Sequence, residues 1–276
     1  MPIFPFPIEN VQIRLSDKKL LVEDPLYQED YIRVSPEEIS IDIEGVACFH
    51  MSRGEQISIT PYPRAGKEDI RAQLEKWGVM SILHQRQILN FHASSFSLDN
   101  DGIMICGDTG AGKSSLTAAF SFGKGNFLND DITAIHFSKK QAMIVKYEKN
   151  ISIFPETLRQ LQTESNDQFT DMSGDHKYSI ETSGKAKKHT PLKHIFHLQV
   201  QDVGQPVFKE LTGHEKFSLL RGNICSWEML QGMPGLEAIY LKQLLAICET
   251  TPITSIQRPK EIAIKELAKT IKGFGF

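Results

Sequence analysis

What the chain lacks narrows it first. Its 31 lysines and arginines stand against 34 aspartates and glutamates, a formal net charge of -3, so no excess of either sign steers it to nucleic acid or to an anionic membrane surface. There is no run of about eighteen consecutive apolar residues, the minimum for a membrane-spanning helix. The first residues, Met1-Pro2-Ile3-Phe4-Pro5-Phe6-Pro7, carry no basic region and no cleavage site, so neither export nor a membrane is expected and the chain is placed in the cytoplasm. Four cysteines, Cys48, Cys106, Cys225 and Cys248, show no C-x-x-C spacing, and three lie in apolar runs where a thiol packs as a small hydrophobe. That usage fits a reducing compartment and excludes a disulfide framework. Internal repeats and compositional linkers are also missing. At 276 residues the chain has room for one large domain or two modest ones, each with a real core.

What is present centres on Ile103-Met104-Ile105-Cys106-Gly107-Asp108-Thr109-Gly110-Ala111-Gly112-Lys113-Ser114-Ser115. A short apolar strand runs into a glycine-rich loop and then into a helix, with Gly107, Gly112, Lys113 and Ser114 on the fixed positions of G-x-x-x-x-G-K-[ST]. The spacing has a physical cause. Glycines let successive backbone N–H groups turn inward around phosphates, and the following helix aims its positive end at the same charge. Residues Gly107 to Ser115 are therefore the candidate nucleotide-binding residues, with Lys113 on the β/γ-phosphates and the Ser114 hydroxyl on Mg²⁺. A chance strand-turn-helix match would lack the apolar segments present on both sides.

Around this motif the chain reads as a mixed α/β protein. Short strands are expected at Val11 to Leu15, Tyr31 to Val34, Ile39 to Ile43, Ala47 to Met51 and Gln56 to Thr60, a small β-rich N-terminal unit. From Lys67 to about Gln87 a stripe of Ile70, Leu74, Trp77, Met80, Ile82 and Leu83 predicts a linking helix. Residues 1–87 are taken as this unit and 88–276 as the nucleotide-binding domain. Ile88 to Leu98, the polar turn Asp99-Asn100-Asp101-Gly102 and the strand entering the loop read as a β-hairpin, so the sheet is expected to be mixed. Strands follow at Ile132 to Phe137, Ala142 to Tyr147 and His194 to Val200. Helical patterns lie at His214 to Leu220, Cys225 to Leu230 and Leu236 to Cys248, with a last helix from Pro259. Residues 163–176 and 182–193 are polar and turn-rich and are expected to be mobile loops.

Phosphoryl transfer asks a protein to neutralise charge, hold a metal and orient the attacking oxygen. Asp130 and Asp131, one helix and one turn beyond the loop, offer a metal partner and a base; alone, Asn129-Asp130-Asp131 is an equally ordinary turn. The stretch HASSFSLDNDGIMICGDTGAGKSSLTAAFSFGKGNFLNDDITAI resembles the catalytic core of HPr kinase/phosphorylase and its relatives, P-loop serine kinases similar in fold to phosphoenolpyruvate carboxykinase. The resemblance implies an α/β mixed-sheet P-loop kinase core using ATP and Mg²⁺. It makes Asp130 the general base toward a serine hydroxyl, puts His92 beside it, and has Asp131 join Ser114 on the metal. Catalytic roles thus fall to Asp130, His92 and Lys113.

Two departures separate the chain from the bifunctional enzyme: Ser115 stands where that group has Glu after the loop serine, and the later Gly-rich segment tied to the phosphorylase reaction is missing. The layout is similar to peptide natural-product kinases, including those acting on the C-terminal serine of lasso precursor peptides. The partner expected is a peptide or protein bearing a serine, with a homo-oligomer left open. HPr(Ser) kinase/phosphorylase proper, a nucleotide-binding module without transfer activity, and a small-molecule kinase are the alternatives. Lys177, Arg258 and the Lys185 to Lys193 cluster with His194 and His197 read first as surface charges or solvated loop, since the histidine spacing matches no zinc pattern.

Overall fold

The computed structural model describes residues 4–148, 150–161, 167–170, 176–182 and 186–274, with only the backbone given for 167–170 and 274. Contacts divide the chain into two compact units, Met1–Asn90 with Cys225–Gln243, and Phe91–Ile224 with Leu244–Phe276.

The first unit opens with β1 (Gln12–Leu15), β2 (Tyr27–Glu29), β3 (Ile32–Val34), β4 (Glu38–Ile43), β5 (Ala47–Ser52) and β6 (Gln56–Pro61). They form one six-stranded sheet in the order β1-β6-β5-β4-β3-β2, mixed because β1 runs parallel to β6. Of these only β2 escaped the sequence pattern; three residues carry no period. Ile39, Ile41, Phe49, Met51, Ile57 and Ile59 are wholly buried, each removing about 1.5–3 kcal/mol worth of apolar surface from water. The linking helix is α1 (Lys67–Gln73) and α2 (Val79–Gln85), joined without a break by a π turn over Leu74–Gly78. That turn shifts the stripe by one residue and buries Leu74 and Trp77 together.

The second unit begins with the hairpin β7 (Leu89–Leu98) and β8 (Asp101–Cys106), antiparallel as expected. Its turn is tighter than the sequence implied. Leu98 pairs Asp101, leaving Asp99 (φ 50°) and Asn100 (φ 72°) as a two-residue turn with both residues left-handed, a conformation those two side chains tolerate. After the loop come α3 (Lys113–Ser121), β9 (Asn126–Asn129), β10 (Ile132–Ser138), β11 (Gln141–Val145), β12 (Asn150–Ile153), α4 (Pro155–Leu161), β13 (Asp167–Thr170), β14 (His176–Glu181), β15 (His189–Val200), β16 (Val207–Glu210) and α5 (Gly213–Gly222). Cys225–Gln243, with a 3-10 turn at Trp227–Gly232 and the start of α6 (Leu236–Thr250), clusters with the first unit. β17 (Ile253–Arg258) and α7 (Ile264–Phe274) complete the second.

Its main sheet runs β11-β10-β7-β8-β15-β17-β16, with β9 also paired to β7. β15 pairs in parallel with both β8 and β17, so the carboxyl ends of these three strands, Cys106, Val200 and Arg258, lie at the same end of the sheet. α3 and α7 cover one face. Ile264, Leu267, Ala268 and Ile271 of α7 recur at helical spacing and pack with Leu116 and Phe120 of α3 against Phe96, Ile105, Phe196 and Ile256. The other side of α3 meets the small sheet β12-β14-β13 through Ala118, Ile151, Ile153 and Ile180.

The polar loops expected at 163–176 and 182–193 are corrected in part. Residues 162–166, 171–175 and 183–185 lie outside the described residues. Asp167–Thr170 is a strand, and β15 already starts at His189, because His189, Thr190 and Pro191 pair with Val145, Ile144 and Met143 of β11. The last helix starts at Ile264, since Ile253–Arg258 is taken up by strand β17.

Candidate active site

The carboxyl end of β8 delivers the chain into the glycine loop. Gly107 has φ 143°, and a Cβ there would stand 2.3 Å from the Leu198 carbonyl oxygen, so a larger residue would push the loop off β15. Gly112 takes φ 96° as the N-cap of α3, turning the chain so that the first free N–H groups of the helix face the loop. Within this cradle the Lys113 ammonium donates to the carbonyls of Gly107 (2.7 Å) and Asp108 (3.3 Å) and to His92 Nε2 (3.1 Å). Burial pushes its pKa down, while the nearby Asp131, Cys106, Asp130 and Asp108 push it back up. A buried cation resting on two carbonyls is a ready partner for phosphate oxygens. Thr109 and Gly110 are exposed at the loop tip, and Ala111 is buried.

The acidic pair is the two-residue connection between β9 and β10, beside β7. Asn129 pairs Ser95 of β7, and the Ala93 N–H donates to the Asp131 carbonyl at 3.2 Å, so the Asp130-Asp131 turn is held against β7. Asp131 has φ 64°. Consecutive strand residues normally face opposite sides; the left-handed step at Asp131 instead brings both carboxylates to the face that presents His92 and Ser94, two residues apart on β7. The buried Asn129 side chain fixes the turn by donating to Val145 O (2.7 Å) and accepting from the Tyr147 N–H (3.1 Å). Glu148 accepts the Asp130 N–H at 2.7 Å.

The resulting pairs are crossed relative to the expectation from resemblance. His92 Nδ1 lies 3.3 Å from Asp131 Oδ1, with both side chains partly exposed (41% and 62%). Since the Lys113 ammonium can only donate, Nε2 of His92 accepts, and the ring proton sits on Nδ1, directed at Asp131. Asp130 is buried and accepts from the Ser94 hydroxyl, from the Ser114 hydroxyl and from the Ser152 N–H at 3.4 Å. Burial pushes its pKa up first of all, the Asp131 charge adds to this, and the three donors oppose it. So the buried acid belongs with Ser114, and the accessible acid belongs with His92.

Ser114 and Asp130 fit a Mg²⁺ ion, a hard cation that takes one or two protein oxygens and completes its shell with phosphate and water. Among the described residues no group of three His, Cys, Asp or Glu side chains could hold a metal, so phosphate oxygens would have to supply the rest. Ser115 points elsewhere, its hydroxyl 2.7 Å from that of Thr157 on α4. Lys177 lies over the Phe154 ring at 5.1 Å, and the His194 ring is buried against Thr254 at 3.0 Å, a structural role. His197 on β15 faces Asp108, with its pKa lowered by burial.

Sequence reasoning missed Ser94 and Glu148. Ser94 was legible, being two strand positions from His92 and so on the same face. Arg258, set aside as a surface charge, donates from Nε to Ala111 O at 3.0 Å, inside the loop.

No protein-family model and no curated protein matches the chain. Among solved structures it is similar to the Hpr(Ser) kinase/phosphatase from Coxiella burnetii, with a TM-score of 0.34 and 10% identity over 67% of this chain and 95% of that one. A likeness of that size adds weight neither to the fold nor to the chemistry, which rest on the residues above.

Proposed function

We propose that the chain is an ATP- and Mg²⁺-dependent phosphotransferase that passes the γ-phosphate to a hydroxyl, the serine of a peptide or protein. One observation carries the reading: a phosphate-shaped loop with its lysine shares a single cluster with two carboxylates held in opposite environments, one buried on a loop serine and one accessible on a histidine. Two acids pushed apart in this way divide two tasks.

In this scheme the loop N–H groups and Lys113 bind the β- and γ-phosphates. Ser114 and Asp130 would hold Mg²⁺, which would offset the charge developing on the phosphate oxygens. Asp131, oriented by the His92 Nδ1–H, takes the proton of the acceptor hydroxyl as its oxygen bonds to the γ-phosphorus and the bond to the β-phosphate oxygen breaks, releasing ADP. This exchanges the roles that the resemblance gave to Asp130 and Asp131. The acceptor it suggests, the C-terminal serine of a lasso-type precursor peptide, has that resemblance as its sole support.

The test separates the two acids by titrating Mg²⁺ in a transfer assay. Asp130→Asn should raise the Mg²⁺ needed for half-maximal rate by tenfold or more. Asp131→Asn should leave that requirement in place and lower the rate about 10²- to 10⁴-fold, the usual worth of a positioned base. Full activity in Asp131→Asn would remove it as the base. A nucleotide-binding module without transfer activity is favoured by Ser115, which is tied to Thr157 and adds no acid to the metal site; absence of transfer to any serine peptide, with ATP bound, would establish that reading.

A further inference from the structure

Ile253–Arg258 is buried over its first four residues, emerges at Gln257 and Arg258, and ends at Pro259, which has no N–H with which to continue the strand. Arg258 therefore sits at the carboxyl edge of the parallel strands, where Val200 pairs it and where β8 also gives way to the glycine loop. Its side chain reaches across to that loop. Nε donates to Ala111 O at 3.0 Å, and Nη1 donates to Pro259 O (3.0 Å) and Lys260 O (3.2 Å). These bonds use three of the five guanidinium N–H groups. Both N–H groups of Nη2 have no partner among the described residues, and a methyl placed on Gly112 would come within 3.2 Å of that nitrogen. Gly112 is the N-cap of α3, so the unpaired end of Arg258 flanks the helix terminus that presents free N–H groups to an anion.

The charge is also uncompensated. Arg258 is half-buried and surrounded by carbonyl oxygens, with no carboxylate in ion-pair contact among the described residues. A partly desolvated guanidinium held rigidly by its own backbone contacts, with one fork left open, is set up to receive an anionic oxygen.

We infer that Arg258 is a second cation of the triphosphate site, its Nη2 fork contacting the terminal phosphate from the end of β17 while Nε braces the loop through Ala111. This rests on the nucleotide reading of the loop. The competing account is a latch that only fixes the loop through Ala111, which would support every nucleotide equally.

Binding of Mg·AMPPNP and Mg·ADP to the full chain distinguishes the two by calorimetry. Arg258→Gln should weaken AMPPNP about tenfold to a hundredfold, the range of a charge-assisted bond, and ADP by less than about threefold, with Arg258→Lys in between. Equal weakening of both nucleotides, or no weakening, overturns the inference while leaving the loop reading intact. If wild type binds neither nucleotide, the loop reading falls and this inference with it. Circular dichroism melting checks that each variant folds, and if Arg258→Gln does not, the same comparison on Arg258→Lys decides.

Discussion

His84 at the end of α2 and His92 at the start of β7 show how two regions of one chain put the same side chain to different uses. In the first unit the His84 ring is wholly buried, with Nδ1 3.0 Å from the Tyr240 hydroxyl and Nε2 2.8 Å from the Cys225 carbonyl, and burial pushes its pKa down to about 4. In the second unit the His92 ring is partly open to solvent and bonded to a cation on one side and an anion on the other. The first arrangement satisfies a neutral ring and leaves it nothing to do. The second fixes a tautomer and couples the loop lysine, Lys113, to an accessible carboxylate, that of Asp131.

The sharpest way to break this comparison is to remove each ring. His84→Ala should cost roughly 3 kcal/mol of unfolding free energy, from the cavity and from the lost hydrogen bonds to Tyr240 and Cys225, as read in a denaturant titration. Activity per folded molecule should be nearly unchanged. Acid should expose the same ring. Between the unfolded value of 6.5 and about 4 the unfolded chain binds a proton that the folded ring refuses, so the His84 contribution is complete above 6.5 and is lost as pH falls toward 4. The loss amounts to at most about 3 kcal/mol, and it should disappear from the difference between wild type and His84→Ala in stability measured against pH.

His92→Ala should invert the first pattern: stability within about 1 kcal/mol of wild type, and phosphate transfer about 10- to 100-fold slower, because Asp131 loses its orienting donor. A His92 variant that unfolds, or one that transfers at the wild-type rate, would erase the contrast. The smallest effect is expected at Ser115, whose bond to Thr157 joins α3 to α4; Ser115→Ala should cost about 1 kcal/mol or less and leave nucleotide affinity alone.

Much of this could be read in the sequence. The N-terminal strands, the linking helix and the β7–β8 hairpin follow from period and turn chemistry, and the loop from glycine spacing, because each is decided by residues close in the chain. The crossed pairing of Asp130 and Asp131 was not legible. It depends on one left-handed residue at Asp131, which Asp tolerates without announcing, and on register with β7. The place of Arg258 beside the loop was hidden for a similar reason, since it comes from β17 lying two places from β8 in the sheet, with β15 between, which no local pattern encodes. The clustering of Cys225–Gln243 with the first unit is likewise long-range.

The most direct measurement is transfer of labelled phosphate from γ-labelled ATP to serine-bearing peptides, lasso-type precursors and purified HPr included, by wild type and by Lys113→Ala in the presence of Mg²⁺. Label should appear on a serine with wild type and fall to background with Lys113→Ala, whose loop loses its closest cation. Equal labelling by the two proteins would contradict the account.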